Sequence, residues 1–135
     1  QVVAYLQKQT YSWEVILSDD GLTDGTLEKL QQFAQKNSAI KVLANPHAGK
    51  GPTVQSGMLA ATGKWRLFTD FDQSTPLREI EKLFPFTPDF DVVIGSREIT
   101  GAIRGEEPWY RHLMGKGFNF LVQILAVPGI YDTQC

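Results

Sequence analysis

The sequence predicts an α/β domain built on a mostly parallel β-sheet with helices on both faces. Two observations lead there. Short β-rich runs alternate with stretches of helical periodicity along the whole chain. Three of those β-rich runs are also followed at once by Asp, Ser or Arg, as expected where strand ends open onto a ligand crevice.

The elements follow in order. Gln1 to Gln9 reads as the tail of a helix, and Trp13 to Ser18 as the first strand. Leu27, Leu30, Phe33 and Ala34 share one helical face, so Leu27 to Ala34 is a helix, and Ile40 to Ala44 is the next strand. A helix is expected from about Thr53 to Ala61 and a strand at Trp65 to Thr69. A helix opened by Thr75 and Pro76 and a strand at Asp91 to Gly95 come next. A last helical stretch runs from Pro108 to Val127, before Pro128 and Gly129. Pro85 to Pro88 and Thr100 to Pro108 are loop-like, and no internal repeat is found. Strands separated by helices imply parallel pairing, because a crossover helix returns the chain in the same direction.

A chain of 135 residues suits one domain with its own core. The composition, 42% hydrophobic with net charge -2, is that of a globular protein without the basic excess that favours nucleic acid. Cys135 is the single cysteine and the last residue, so it offers no internal disulfide and no paired metal ligand. The apolar runs are too short to span a bilayer. Both ends read as cut, so truncation at both ends is expected.

The chemistry should gather after the strands. Asp19, Asp20 and Asp24 follow the first, Asp70 and Asp72 the third, and Ser96 and Arg97 the fourth. Asp70 and Asp72 are oxygen donors suited to one hard cation, Mg²⁺ or Mn²⁺, with phosphate oxygens completing the shell. The plainer alternative is that they solvate a strand end and begin the turn toward Pro76. Gly49-Lys50-Gly51 is a flexible basic element, but Pro52 stands where a phosphate-binding P-loop carries Ser or Thr. Lys50 is therefore either a phosphate ligand or a solvated helix-start lysine. His47 and His112 have no partner at ligand spacing and receive no role.

Against known families, Asp19-Asp20-Gly21-Leu22-Thr23-Asp24-Gly25-Thr26 resembles the DDGSTDGT signature of the family 2 glycosyltransferases. Thr69-Asp70-Phe71-Asp72-Gln73-Ser74-Thr75-Pro76 resembles their DADLSTP segment. Gly49-Lys50-Gly51 with Gly57 to Gly63, and Val93-Ile94-Gly95-Ser96-Arg97, match two further family segments in the right order. Pro108-Trp109-Tyr110-Arg111 and Asp132-Thr133-Gln134-Cys135 are similar to segments of the dolichyl-phosphate or polyprenyl-phosphate hexose synthases. Leu22, Phe71 and Gln73 depart from the pattern, Phe71 by placing a bulky ring between the two carboxylates. The family's opening strand is absent from these residues.

The resemblance implies the GT-A fold and transfer of a hexose from a nucleotide sugar, UDP-glucose or GDP-mannose, to a dolichyl or polyprenyl phosphate, with inversion. It implies that Asp20, with Asp19 near it, meets the nucleoside end of the donor, that Asp24 and Lys50 belong to the same donor site, and that Asp70 and Asp72 hold the metal. Asp72, Arg97 and Arg111 would carry the catalysis, the arginines by pairing with acceptor phosphate oxygens; a helix-surface arginine is the alternative for Arg111. The resemblance also implies a place on the cytoplasmic face of a membrane, peripheral or anchored by segments outside these residues. The apolar Phe118 to Val127 stretch suits an interfacial helix or, alternatively, one packed on the sheet. Two other functions stand beside this one: a family 2 transferase acting on a sugar hydroxyl, and a nucleotide-binding module without catalysis.

Overall fold

The computed structural model describes residues 1–96 and the helix at 109–125, with the side chains at 109–113 and 116 left aside. The chain forms two compact units, Gln1–Arg78 and Glu79–Cys135.

The first unit begins with the short helix α1, Val2–Leu6, whose Leu6 is buried. Strand β1 is Val15–Asp19 and strand β2 is Ile40–Ala44. They pair in parallel, Val15 opposite Ile40 through to Asp19 opposite Ala44. Helix α2, Thr26–Ala34, connects them and packs on β2. Its start is set by Gly25 in the left-handed region and by the Asp24 carboxylate, which accepts the Thr26 N–H at 3.0 Å. The βαβ unit expected from the alternating pattern is thus present.

Helix α3, Lys50–Ala60, packs on β1 and starts earlier than the expected Thr53. Gly49, at φ 87, makes the sharp entry. Pro52 falls in the first turn, where a missing N–H costs nothing. Gly57 faces Ser18 across the contact with β1, where an added Cβ would make an ordinary contact at 3.5 Å from Ser18 Cβ. The Ser18 hydroxyl donates to the Thr53 carbonyl at 2.8 Å and accepts from Asn45 Nδ2 at 2.9 Å.

Two expected strands are not formed. Among the described residues the sheet has only β1 and β2, and 65–69 and 91–95 run without strand pairing. Their β-rich composition is real, but a strand exists only where a neighbour completes its ladder. Trp65, Leu67 and Phe68, and likewise Val92 and Ile94, are left exposed. The expected helix after Pro76 is instead two short 3₁₀ segments, Leu77–Lys82 and Phe84–Phe86. Pro85 explains why no α-helix continues: it lacks an N–H, and its ring clashes with the preceding turn.

In the second unit, helix α4 is Trp109–Leu125, within the expected Pro108 to Val127. Phe118, Phe120, Leu121, Ile124 and Leu125 on it are exposed. Among the described residues no helix is long and apolar enough to cross a membrane. Arg97, the Thr100 to Pro108 loop and the Asp132 to Cys135 segment lie outside the described residues, as do the side chains of Arg111 and His112.

Candidate functional site

The site is assembled by β1, the loop after β2 and the start of α3. Asp19, the last residue of β1, is buried, and its Oδ2 accepts the Gly21 N–H at 2.8 Å. This bends the chain sharply at Gly21, at φ 71, where a Cβ would lie 2.7 Å from the His47 nitrogen and 2.8 Å from the Asn45 oxygen. Only glycine fits that approach. Asn45 completes the contact: its N–H and Nδ2 both donate to the Asp19 carbonyl, at 3.2 and 2.7 Å.

Asp20 is the organising carboxylate. Its Oδ1 accepts from the Ala48 N–H at 3.1 Å, the Gly49 N–H at 3.0 Å and the buried Thr53 hydroxyl at 2.8 Å. Its Oδ2 lies 3.0 Å from His47 Nδ1. The Ala48 N–H first, then the Thr53 hydroxyl, Gly49 and His47, hold its carboxyl below the usual carboxylate range. Asp20 therefore fastens the 46–49 loop and the first turn of α3 to the end of β1. Asp24 acts locally at the start of α2, and Thr26, through its hydroxyl and then its N–H, lowers its pKa.

The next link is Lys50, first residue of α3. Its ammonium lies 2.9 Å from Asp70 Oδ1 and 3.2 Å from Asp70 Oδ2, and 5.5 Å from the centre of the Phe68 ring. Asp70, half exposed, opens a tight turn: Gln73, at φ 54, donates its N–H and its Nε2 to the Asp70 carbonyl at 3.2 and 2.9 Å. Asp72 Oδ1 accepts the Ser74 N–H at 2.9 Å. Phe71 is 82% exposed, so its ring stands in solvent rather than filling the space its sequence position suggested.

The structure thus joins Asp19, Asp20, Lys50 and Asp70 through one chain of contacts, with Asp72 two residues beyond Asp70. Asp24 sits apart at its helix cap. Three partners escaped the sequence reading. Thr53, His47 and Gln73 all bond to the site, yet Thr53 and His47 lie 33 and 27 residues from Asp20, beyond any local spacing rule. Gln73 carried a signal, as a departure from the family pattern beside the two carboxylates.

The carboxylates suit a divalent cation. Asp70 already holds a cationic group, the ammonium of Lys50. Among the described residues no group of three or more His, Cys, Asp or Glu could enclose a metal by itself. Two carboxylates that rely on outside oxygens match the habit of Mg²⁺, which keeps waters and substrate phosphates in its shell.

A second carboxylate works at the other end of β1. Glu14 Oε1 accepts from the Thr62 hydroxyl and the Gly63 N–H at 2.7 and 3.0 Å, and from the Thr62 N–H at 2.6 Å; Oε2 pairs with Lys41 at 2.9 Å. Lys41 first, then Thr62, lowers its pKa from 4.5 to about 2. The end of α3 is thereby tied to the start of β1.

The curated proteins most similar to this chain include a dolichyl-phosphate beta-glucosyltransferase of Trichomonas vaginalis, 34% identical over all of this chain and 44% of the relative. The enzymes of that name from Drosophila melanogaster and Homo sapiens are 32% and 30% identical, again over the whole chain and 46% and 47% of theirs. The chain spans about half the length of these relatives. No solved structure matches. The model of the glycosyl transferase family 2 matches residues 1–133, nearly the whole chain and every motif in the contact chain above, and the chain belongs to that family.

Proposed function

We propose that these residues form the donor-binding part of a metal-dependent, inverting glycosyltransferase that moves glucose from UDP-glucose to dolichyl phosphate. The relatives are named for glucosyl transfer to that lipid, which favours glucose over mannose. The observation that carries the reading is the contact chain Asp20–Gly49–Lys50–Asp70, which places a fixed loop, a lysine and an exposed carboxylate together.

Asp20 keeps the Gly49 turn rigid, so Lys50 projects from a fixed point toward Asp70. Asp70 and Asp72 would hold Mg²⁺ or Mn²⁺, which when bound acts as a Lewis acid on the leaving diphosphate. Because charge grows on that diphosphate as the glycosidic bond breaks, positive groups held there favour the transition state over the ground state. Lys50 supplies one such charge from the chain itself. The acceptor phosphate is already anionic, so Arg97 and Arg111 would serve to position it rather than to remove a proton. The exposed apolar residues of α4 support work at a membrane surface, the cytoplasmic face in our reading.

The test is calorimetric titration of UDP-glucose and GDP-mannose into the full-length protein with Mn²⁺ or with EDTA, beside Asp72→Ala. UDP-glucose should bind with Mn²⁺ and lose binding with EDTA and in the variant. A folded protein that binds neither donor overturns the reading.

A further inference from the structure

We propose that Lys50 is an exchangeable counter-ion: in the donor-free protein its ammonium competes with a divalent cation for Asp70, and it leaves Asp70 for the diphosphate when donor and cation bind. The inference rests on the metal and donor reading above and assigns to one residue opposite effects on two ligands.

Three observations carry it. The ammonium sits against both Asp70 oxygens, at 2.9 and 3.2 Å, so it covers the atoms a cation would need. The pair is open to water, with the Lys50 side chain 67% exposed and that of Asp70 51%, and such pairs are weak enough to exchange. The same ammonium also lies 5.5 Å from the Phe68 ring centre, within cation–π range, so Asp70 is not its sole partner. Its backbone, by contrast, is held in place. The preceding Gly49 N–H is bonded to Asp20, and Lys50 is the first residue of a helix packed on β1. Exchange is thus a matter of side-chain rotamers, which cross low barriers quickly.

Ammonium and dication cannot both take Asp70 at close range without repulsion. Removing the ammonium should therefore free the carboxylate for metal. With the diphosphate present the sign reverses, because the displaced ammonium gains an anionic partner that Asp70 no longer supplies. A residue with a merely structural role would shift both affinities in the same direction.

The experiment uses the full-length protein and its Lys50→Met, Lys50→Arg and Asp70→Asn variants. Mn²⁺ alone is titrated by electron paramagnetic resonance, and UDP in saturating Mn²⁺ by calorimetry. Lys50→Met should bind Mn²⁺ alone roughly two- to fivefold more tightly, the scale of an exposed ion pair, and bind UDP with Mn²⁺ more weakly. Lys50→Arg should stay near the parent in both. Mn²⁺ affinity unchanged or weaker in Lys50→Met, or UDP affinity unchanged, overturns the proposal while leaving the metal site intact. If neither the parent nor Lys50→Met binds Mn²⁺, with or without UDP, the metal reading falls and the exchange with it.

Discussion

Gly21 and Glu14 show how much single residues decide here. At Gly21 the chain has a positive φ of 71 and the backbone of the 45–47 loop lies against the missing Cβ, at 2.7 and 2.8 Å. Gly21→Ala should cost on the order of 1–3 kcal/mol, read by urea unfolding, because neither the dihedral nor the backbone contact can relax cheaply. Glu14 makes a pH-dependent contribution. Its folded pKa, about 2, lies below its ordinary value of 4.5, so its stabilisation is complete above pH 4.5 and is lost as pH falls toward 2. The stability difference between the parent and Glu14→Gln should be constant from pH 7 to about 5 and shrink at pH 4 and 3; a difference that stays flat across this range means the carboxylate is not the source. Such roles were only partly legible in the sequence. Asp20 stood out as a strand-end carboxylate, but the partners that saturate it are 27 to 33 residues away, and side-chain saturation is a property of the fold.

Helix α3 joins the two halves of the site. Gly57 lies in its interior facing Ser18, yet an added Cβ would meet Ser18 only at 3.5 Å, an ordinary contact. Gly57→Ala should therefore stabilise the chain by about 0.5–1 kcal/mol, since alanine loses less backbone freedom in a helix. Thermal unfolding checks this, and a loss of stability would mean that α3 packs closer to β1 than the structure shows. Elements with their own periodicity were well predicted: β2 falls on the expected Ile40 to Ala44, and α2 begins one residue before Leu27. The start of α3 was misplaced because Gly49, Gly51 and Pro52 read as loop formers. The helical use of Gly51 and Pro52 follows from the turn at Gly49, whose N–H bonds Asp20, a partner that local sequence cannot show.

For the whole molecule, the β-rich segments 65–69 and 91–95 mark the limit of pattern reading. Periodicity reports which side chains seek apolar surroundings, and says nothing about which neighbour supplies the ladder. In the 135-residue chain, hydrogen exchange should find the ladder amides of 15–19 and 40–44 protected and those of 66–69 exchanging much faster, because the latter have no main-chain acceptor among the described residues. Equal protection would show that 65–69 is paired in solution. The fold class itself was legible, since a parallel βαβ unit needs only alternation and turn chemistry. The family followed from two motifs that the fold then joined by contact.

The two carboxylates flanking β1 have one more consequence. Glu14 grips the chain just after α3, and Asp20 grips the chain just before it, so strand and helix are latched at both ends like a bracket. Sliding the helix by one turn, about 5.4 Å, would unfasten both latches together. Shear along β1 is thereby removed from the motions open to this part of the molecule. What adjusts when a ligand arrives should then be side chains above this strand–helix frame, that of Lys50 first.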